Sequence, residues 1–208
     1  FISTGYGKRE KRFYMFESFS EKQSNDKKES HIDSSQSLTQ EQTLAKRKYE
    51  SLKEGSVLLL WGITGSGKTE VYMQIAALEL SNGRDCLILT PEIGLVPQLV
   101  DRFRKRFGSN VFEYHSNCSN KEKVNIWKES LDTSTPSIFI GTRSAVFLPL
   151  TNLGLIVLDE EHDSSYKQES PMPCYHARDL AIHRAEKIGA KVILGTATPS
   201  LNIWRNIE

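Results

Sequence analysis

Val57-Leu58-Leu59-Leu60-Trp61-Gly62-Ile63-Thr64-Gly65-Ser66-Gly67-Lys68-Thr69 is the stretch on which the fold turns. Its first five residues form a short, unalternating apolar run, the pattern of a strand buried on both faces of a parallel sheet. Gly62–Thr69 then fits G-x-x-x-x-G-K-[ST], and a helical pattern opens at Lys68. Strand, glycine-rich loop and helix thus follow in the order a phosphate loop requires. The glycines permit backbone dihedrals closed to other residues, so successive N–H groups can turn inward on one anion. The helix N-terminus adds partial positive charge at the same place. Nucleotide binding by Gly62, Ile63, Thr64, Gly65, Ser66, Gly67, Lys68 and Thr69 is therefore expected. In it Lys68 reaches the β and γ phosphates, and the Thr69 hydroxyl ligates Mg²⁺.

Working outward, similar apolar runs occur at Cys86–Thr90, Val111–Tyr114, Ser137–Ile140, Leu155–Leu158 and Val192–Leu194. Between them lie helical patterns at Lys68–Ser81, Pro97–Phe107, Lys121–Ser130 and Tyr175–Ile188. This alternation predicts a doubly wound α/β domain beginning near Leu38, with a mostly parallel sheet and helices on both faces. Ligands of such sheets bind beyond the carboxyl ends of the strands. The segments at those ends are Gly62–Thr69, Pro91–Gln98, Gly141–Ser144, Asp159–His162 and Gly195–Pro199, which are rich in Gly, Thr, Pro and charge.

Composition narrows the class. The 208 residues are 38% hydrophobic and 25% charged, a soluble globular balance. No apolar run approaches the ~20 residues of a membrane span, and no secretory leader opens the chain. Three cysteines without a CxxC pair support neither a zinc ribbon nor a disulfide framework, which favours a reducing cytoplasm. The net charge of +1 carries no basic footprint, so any nucleic-acid reading must rest on motifs. Residues 1–37 are polar and charged, with an aromatic cluster at Phe13, Tyr14, Phe16 and Phe19. They read as a linker from Ser18 to Ser37, preceded by either the remnant of an upstream domain or a segment packed on the main one. A first residue of Phe rather than Met leads us to expect a piece of a longer protein.

Leu155-Ile156-Val157-Leu158-Asp159-Glu160-Glu161-His162 supplies the partner of the phosphate loop. Asp159 at a strand end can hold the Mg²⁺ shell, and Glu160 can polarise a water for attack on the γ-phosphate. Thr196 and Thr198 of Gly195–Pro199 present hydroxyls to which His162 could hydrogen-bond. Thr142, Arg143 and Ser144 offer donors suited to phosphodiester oxygens.

Asp159-Glu160-Glu161-His162 with Gly195-Thr196-Ala197-Thr198-Pro199 resembles motifs II and III of the superfamily 2 helicases. Residues 62–72, 90–98, 140–147, 159–168 and 175–181 extend the resemblance to the replication-restart branch, across about Leu38 to Ile207. The resemblance implies the first RecA-like lobe of a 3′→5′ DNA helicase that acts at stalled forks and reloads the primosome in the bacterial cytoplasm. It makes Gln42 the adenine-sensing residue and makes His162, Thr196 and Thr198 couple ATP to DNA. It places Pro91, Gln98, Thr142, Arg143 and Ser144 at the DNA backbone and lets Tyr166 and Tyr175 stack on bases. The partners it implies are forked or single-stranded DNA, primosome proteins and single-stranded-DNA-binding protein. Its loop at 168–174 lacks the tryptophan expected there, Thr196 replaces a common serine, and zinc is expected only in a cysteine cluster outside these residues. The second lobe with its arginine finger is also expected elsewhere, so this chain should bind Mg-ATP and hydrolyse it slowly. Another superfamily 2 DNA translocase, or a nucleotide-gated binding module, are the alternatives.

Overall fold

The computed structural model describes residues 13–18 and 38–207. In chain order the elements are β1 (Phe13–Ser18), α1 (Gln40–Glu50), β2 (Val57–Gly62), α2 (Lys68–Ser81), β3 (Asp85–Leu89), α3 (Val96–Phe107), β4 (Val111–Tyr114) and α4 (Asn120–Glu129). There follow β5 (Ile138–Gly141), β6 (Leu153–Asp159), the two-residue strands β7 (Lys167–Gln168) and β8 (Tyr175–His176), α5 (Ala177–Ile188), β9 (Lys191–Thr196) and α6 (Leu201–Ile207). Seven strands form one sheet in the order β1-β2-β9-β6-β3-β5-β4, and every pairing in it is parallel.

Alternation along β2 explains why the sheet is covered twice. Leu58 and Leu60 point to one face, where they meet Tyr49 of α1, Tyr72 and Ile75 of α2, and Val100 and Phe103 of α3. Val57 and Leu59 point to the other, with Ala177, Ala181 and Ala185 of α5 and Val146 and Leu148 of the turn after β5. The small alanine stripe lets α5 approach the sheet closely. Each fully buried Leu or Ile in these layers contributes about 1.5–3 kcal/mol.

The six expected strands and four expected helices are present, with ends shifted by a few residues. Five elements lie outside that expectation: β1, α1, β7, β8 and α6. The sheet begins ahead of the boundary drawn at Leu38, because Phe13–Ser18 pairs residue for residue with Val57–Gly62 as an edge strand. Of the aromatic cluster, Phe13, Tyr14 and Phe16 lie in this strand, and Tyr14 packs against the core; Phe19 and the linker at 19–37 lie outside the described residues. Helix α1 is short and polar, and its ends rather than its pattern define it: Thr39 and Gln42 form a reciprocal capping box. Tyr175 and His176 belong to β8 rather than to a helix, because the His176 backbone is extended and its side chain accepts from Arg178 N, which caps α5. No helix among the described residues is long and apolar enough to cross a membrane.

Candidate nucleotide and coupling site

The phosphate loop joins β2 to α2 with Gly65 and Gly67 both in the left-handed region, φ +83° and +85°. Gly67 also answers to a steric demand, since a Cβ there would overlap the Gln42 carboxamide. It is the N-cap of α2, and no side chain caps that helix, whereas α1, α4 and α5 are each capped by one. The first amides of α2 are thus left to a ligand. Gln42 stands against the loop from α1: its Oε1 accepts from Thr39 N at 3.0 Å, and its Nε2 lies 3.5 Å from the Ser66 and Gly67 carbonyls. That contact ties α1 to the loop.

Lys68 folds back over this loop. Its Nζ donates to Gly62 O at 2.9 Å and stands 3.7 Å from Glu160 Oε1. Glu160 is the one described non-glycine residue with positive φ, +49°, a conformation that turns its carboxylate from the strand end towards the loop. Its Oε2 lies 3.7 Å from His162 Nδ1, which is 2.8 Å from Thr196 Oγ1. Thr196 Oγ1 accepts in turn from Thr198 N at 3.0 Å. The five residues therefore form one connected line from the loop to the end of β9. Thr198 joins it through its backbone rather than by a direct bond to His162.

Asp159 ends β6 beside Gly195 of β9. Burial pushes its carboxyl above the ordinary carboxylate range, opposed by the Tyr72 hydroxyl, which donates to Oδ1 at 2.9 Å. Gly195 makes that bond possible, because a Cβ at 195 would coincide with the Tyr72 hydroxyl. Thr64, Gly65, Gly67, Lys68, Thr69, Asp159 and Glu160 line one cleft of about 220 Å³, together with Arg102.

A buried device lies behind it. Glu161 is fully buried and accepts from Ser200 N (2.7 Å), Ser200 Oγ (3.0 Å) and Arg178 Nη1 (2.9 Å). This ties the acidic turn to the residue after Pro199 and to the start of α5.

The second group of expected residues gathers at the ends of β3, β5 and β6, which are neighbours in the sheet. Ser165 Oγ donates to Pro91 O at 3.1 Å, and Arg143 Nη1 donates to Ser165 O (3.1 Å) and Lys167 O (2.8 Å). Arg143 thus holds the loop after His162 and also stands over the Tyr175 ring. Thr142 and Ser144 are half-buried, and Gln98 is exposed on the first turn of α3. Tyr175 is half-buried edge-on to Phe147. Tyr166 does not fit a stacking role. It is fully buried, and its hydroxyl lies 2.9 Å from Leu89 O and 2.7 Å from Asp159 O, so its ring belongs to the core.

Sequence reasoning missed Tyr72, Gly195, Glu161, Arg178, Ser200 and Arg102. Tyr72, Gly195, Glu161 and Arg178 lie inside quoted motifs and Ser200 and Arg102 beyond them, but their partners are distant in the chain, 87 residues for Tyr72 and Asp159.

A phosphate loop, a facing strand-end carboxylate and a third strand end linked through His162, on a parallel sheet covered on both faces, define a RecA-like nucleotide-binding lobe. Within that class the chain belongs to the DEAD/DEAH box helicase family, whose pattern matches residues 39–205. It is 56% identical over 151 residues to the replication restart protein PriA of Synechocystis, covering 73% of this chain and 18% of that protein. The same protein of Bacillus subtilis is 48% identical over 155 residues, 74% of this chain and 19% of its own. The chain therefore spans about a fifth of the length of these curated relatives. Among solved structures, the Pyrococcus furiosus Hef helicase domain shares the fold with a TM-score of 0.58 at 23% identity, covering 80% of this chain and 35% of that one.

Proposed function

We propose that residues 38–208 are the first, ATP-binding lobe of a 3′→5′ DNA helicase that unwinds DNA at stalled forks and restarts replication by primosome assembly. The single observation that carries the reading is the line Lys68–Glu160–His162–Thr196, which joins a nucleotide cleft to a second strand end through one 2.8 Å hydrogen bond and two contacts of 3.7 Å. The kinship with replication restart proteins supports the biological setting.

In this reading the uncapped amides of α2 and the left-handed loop bind phosphate oxygens, and Lys68 leaves Gly62 O to meet the β and γ phosphates. Glu160, released from Lys68, orients the attacking water and takes its proton. Glu160 meets His162 as well, so its position is reported to Thr196 and on to the Gly195–Pro199 segment. Asp159 and Thr69 fit Mg²⁺, a hard ion that keeps waters and needs few protein oxygens when phosphates complete its shell. Bound there, it neutralises charge developing on the phosphates. Among the described residues no protein-only metal cluster exists.

Pro91, Gln98 and Thr142–Ser144 serve the DNA side, with Arg143 acting mainly by positioning the loop at 164–167 and Tyr175 offering the remaining aromatic edge. Forked or single-stranded DNA, primosome proteins and single-stranded-DNA-binding protein are the partners, in the bacterial cytoplasm. Residues 1–37 lead in from a preceding DNA-binding region, with Phe13–Ser18 completing the sheet.

The test is binding of a fluorescent ATP analogue with Mg²⁺ by this chain and its Lys68→Ala variant, with ATP turnover read in the same samples with and without forked DNA. Lys68-dependent binding with negligible turnover is expected, since an arginine finger from a second lobe is worth about 10³–10⁵ in rate. Binding indifferent to Lys68 would refute the site. Fork-stimulated turnover by the 208 residues alone would refute the dependence on a second lobe.

A further inference from the structure

Arg102 is an exposed cation on the wall of the nucleotide cleft. Helices α2 and α3 both start at the carboxyl edge of the sheet and pack on the same face. Their relative rotation is fixed by an ion pair of 2.7 Å between Glu70, directly after Thr69, and Arg106 of α3, with Gln74 also donating to Glu70 at 3.0 Å. Both partners of that pair are about nine-tenths buried, with side chains 10% and 11% exposed. Four residues back on the same helix face, about 6 Å nearer the α3 N-terminus, is Arg102. Long helical side chains lean towards the N-terminus, here towards the phosphate loop. Arg106 is thus the anchor and Arg102 the free arm. Among the described residues no carboxylate or carbonyl takes the Arg102 guanidinium, although Asp159 and Glu160 line the same cleft.

We propose that Arg102 is a second cationic ligand of the nucleotide, contributed in cis, which binds the terminal phosphate of ATP. The proposal rests on the nucleotide-site reading above. A guanidinium suits this place because its donors lie in a fixed plane that matches phosphate oxygens, and because it stays charged at any working pH. Lys68 reaches the β and γ phosphates from the loop, and Arg102, which lines the same cleft from α3, adds a second cation at the γ-phosphate, beside Glu160. Arg102 thereby makes the lobe favour ATP over ADP. Through α3 it also connects the terminal phosphate to Gln98, one turn away on the same helix face.

The experiment measures Mg-ATP and Mg-ADP affinity of the intact protein by calorimetry, for Arg102→Ala, Arg102→Lys and Lys68→Ala, with thermal melting of each variant. Arg102→Ala is expected to weaken Mg-ATP about tenfold, as loss of one charge-assisted contact does, and to leave Mg-ADP within about twofold. Arg102→Lys should fall between, and none of the Arg102 variants should shift the melting temperature, since the side chain is exposed. Unchanged ATP affinity in Arg102→Ala, or equal weakening of ATP and ADP, overturns the assignment while Lys68→Ala still weakens both nucleotides. If Lys68→Ala leaves both affinities unchanged, the nucleotide-site reading itself has failed.

Discussion

Replacing Arg178 with methionine isolates the electrostatic part of the buried device behind the acidic turn. Methionine keeps most of the side-chain length, so little cavity is created, but Glu161 is left as a fully buried carboxylate without its cation. Removing one partner of a buried pair typically costs about 3–5 kcal/mol. Two donors remain on Glu161, Ser200 N at 2.7 Å and Ser200 Oγ at 3.0 Å, so the low end applies, about 3 kcal/mol. Against a total stability of about 5–15 kcal/mol this is a large fraction, and it corresponds to a fall of about 6–12 °C in Tm for a chain of this size. Adding Glu161→Gln removes the stranded charge while its amide oxygen still accepts from Ser200 N. The double variant should therefore recover at least about 1 kcal/mol of the loss, an interaction energy that separate sites would not show. Urea unfolding followed by far-ultraviolet circular dichroism measures all four corners of the cycle. A loss below about 1 kcal/mol in Arg178→Met, or a double variant worse than either single one, would refute the view that the buried Arg178–Glu161 pair holds the acidic turn in place.

Three other outcomes follow from the geometry. Glu160→Gln in the intact protein should keep ATP affinity and lose hydrolysis, checked by equilibrium binding and single-turnover rates; equal loss of both would assign Glu160 to binding instead. Gly195→Ala should destabilise by about 3 kcal/mol in a thermal melt, since its Cβ collides with the Tyr72 hydroxyl, and Tyr72→Phe in that background should restore part of the loss; strict additivity would contradict the collision. Burial, then the neighbouring Arg178, holds His176 below the ordinary imidazole pKa of about 6.5, so both folded and unfolded states are neutral at pH 7.5. As pH falls below about 6.5 the unfolded chain takes up the proton first and stability declines until the folded pKa is passed. His176→Ala, which removes the α5 cap, should cost about 1 kcal/mol at pH 7.5 and less at pH 5, whereas a cost that grows on acidification would reverse this sign.

Legibility followed the range of the physics. Five unalternating apolar residues before a glycine-rich turn can be read locally, because burial on both sheet faces and left-handed backbone each impose a constraint on consecutive residues. Hence β2, the loop and α2 were placed from the sequence, as were the carboxyl-end segments where Lys68, Asp159, Glu160, His162 and Thr196 meet. Strand β1 and helix α1 were not placed: the apolar run Phe13–Phe16 is separated from the domain by a long polar stretch, so nothing local ties it to the sheet, and an 11-residue polar helix is defined by a capping box alone.

What the sequence by itself determined is the kind of sheet, the nucleotide loop and which segments stand at its ligand edge. Only the tertiary structure decided the partnerships across that edge. It brought Tyr72 to Asp159 over Gly195, Arg178 to Glu161, Arg143 to the loop after His162, and Arg102 to the cleft, and it took Tyr166 into the core. The reason is geometric. A motif records the residues one strand end presents, but contact between strand ends depends on the order β2-β9-β6-β3-β5, which interleaves distant parts of the chain and leaves no period or spacing in the sequence to betray it.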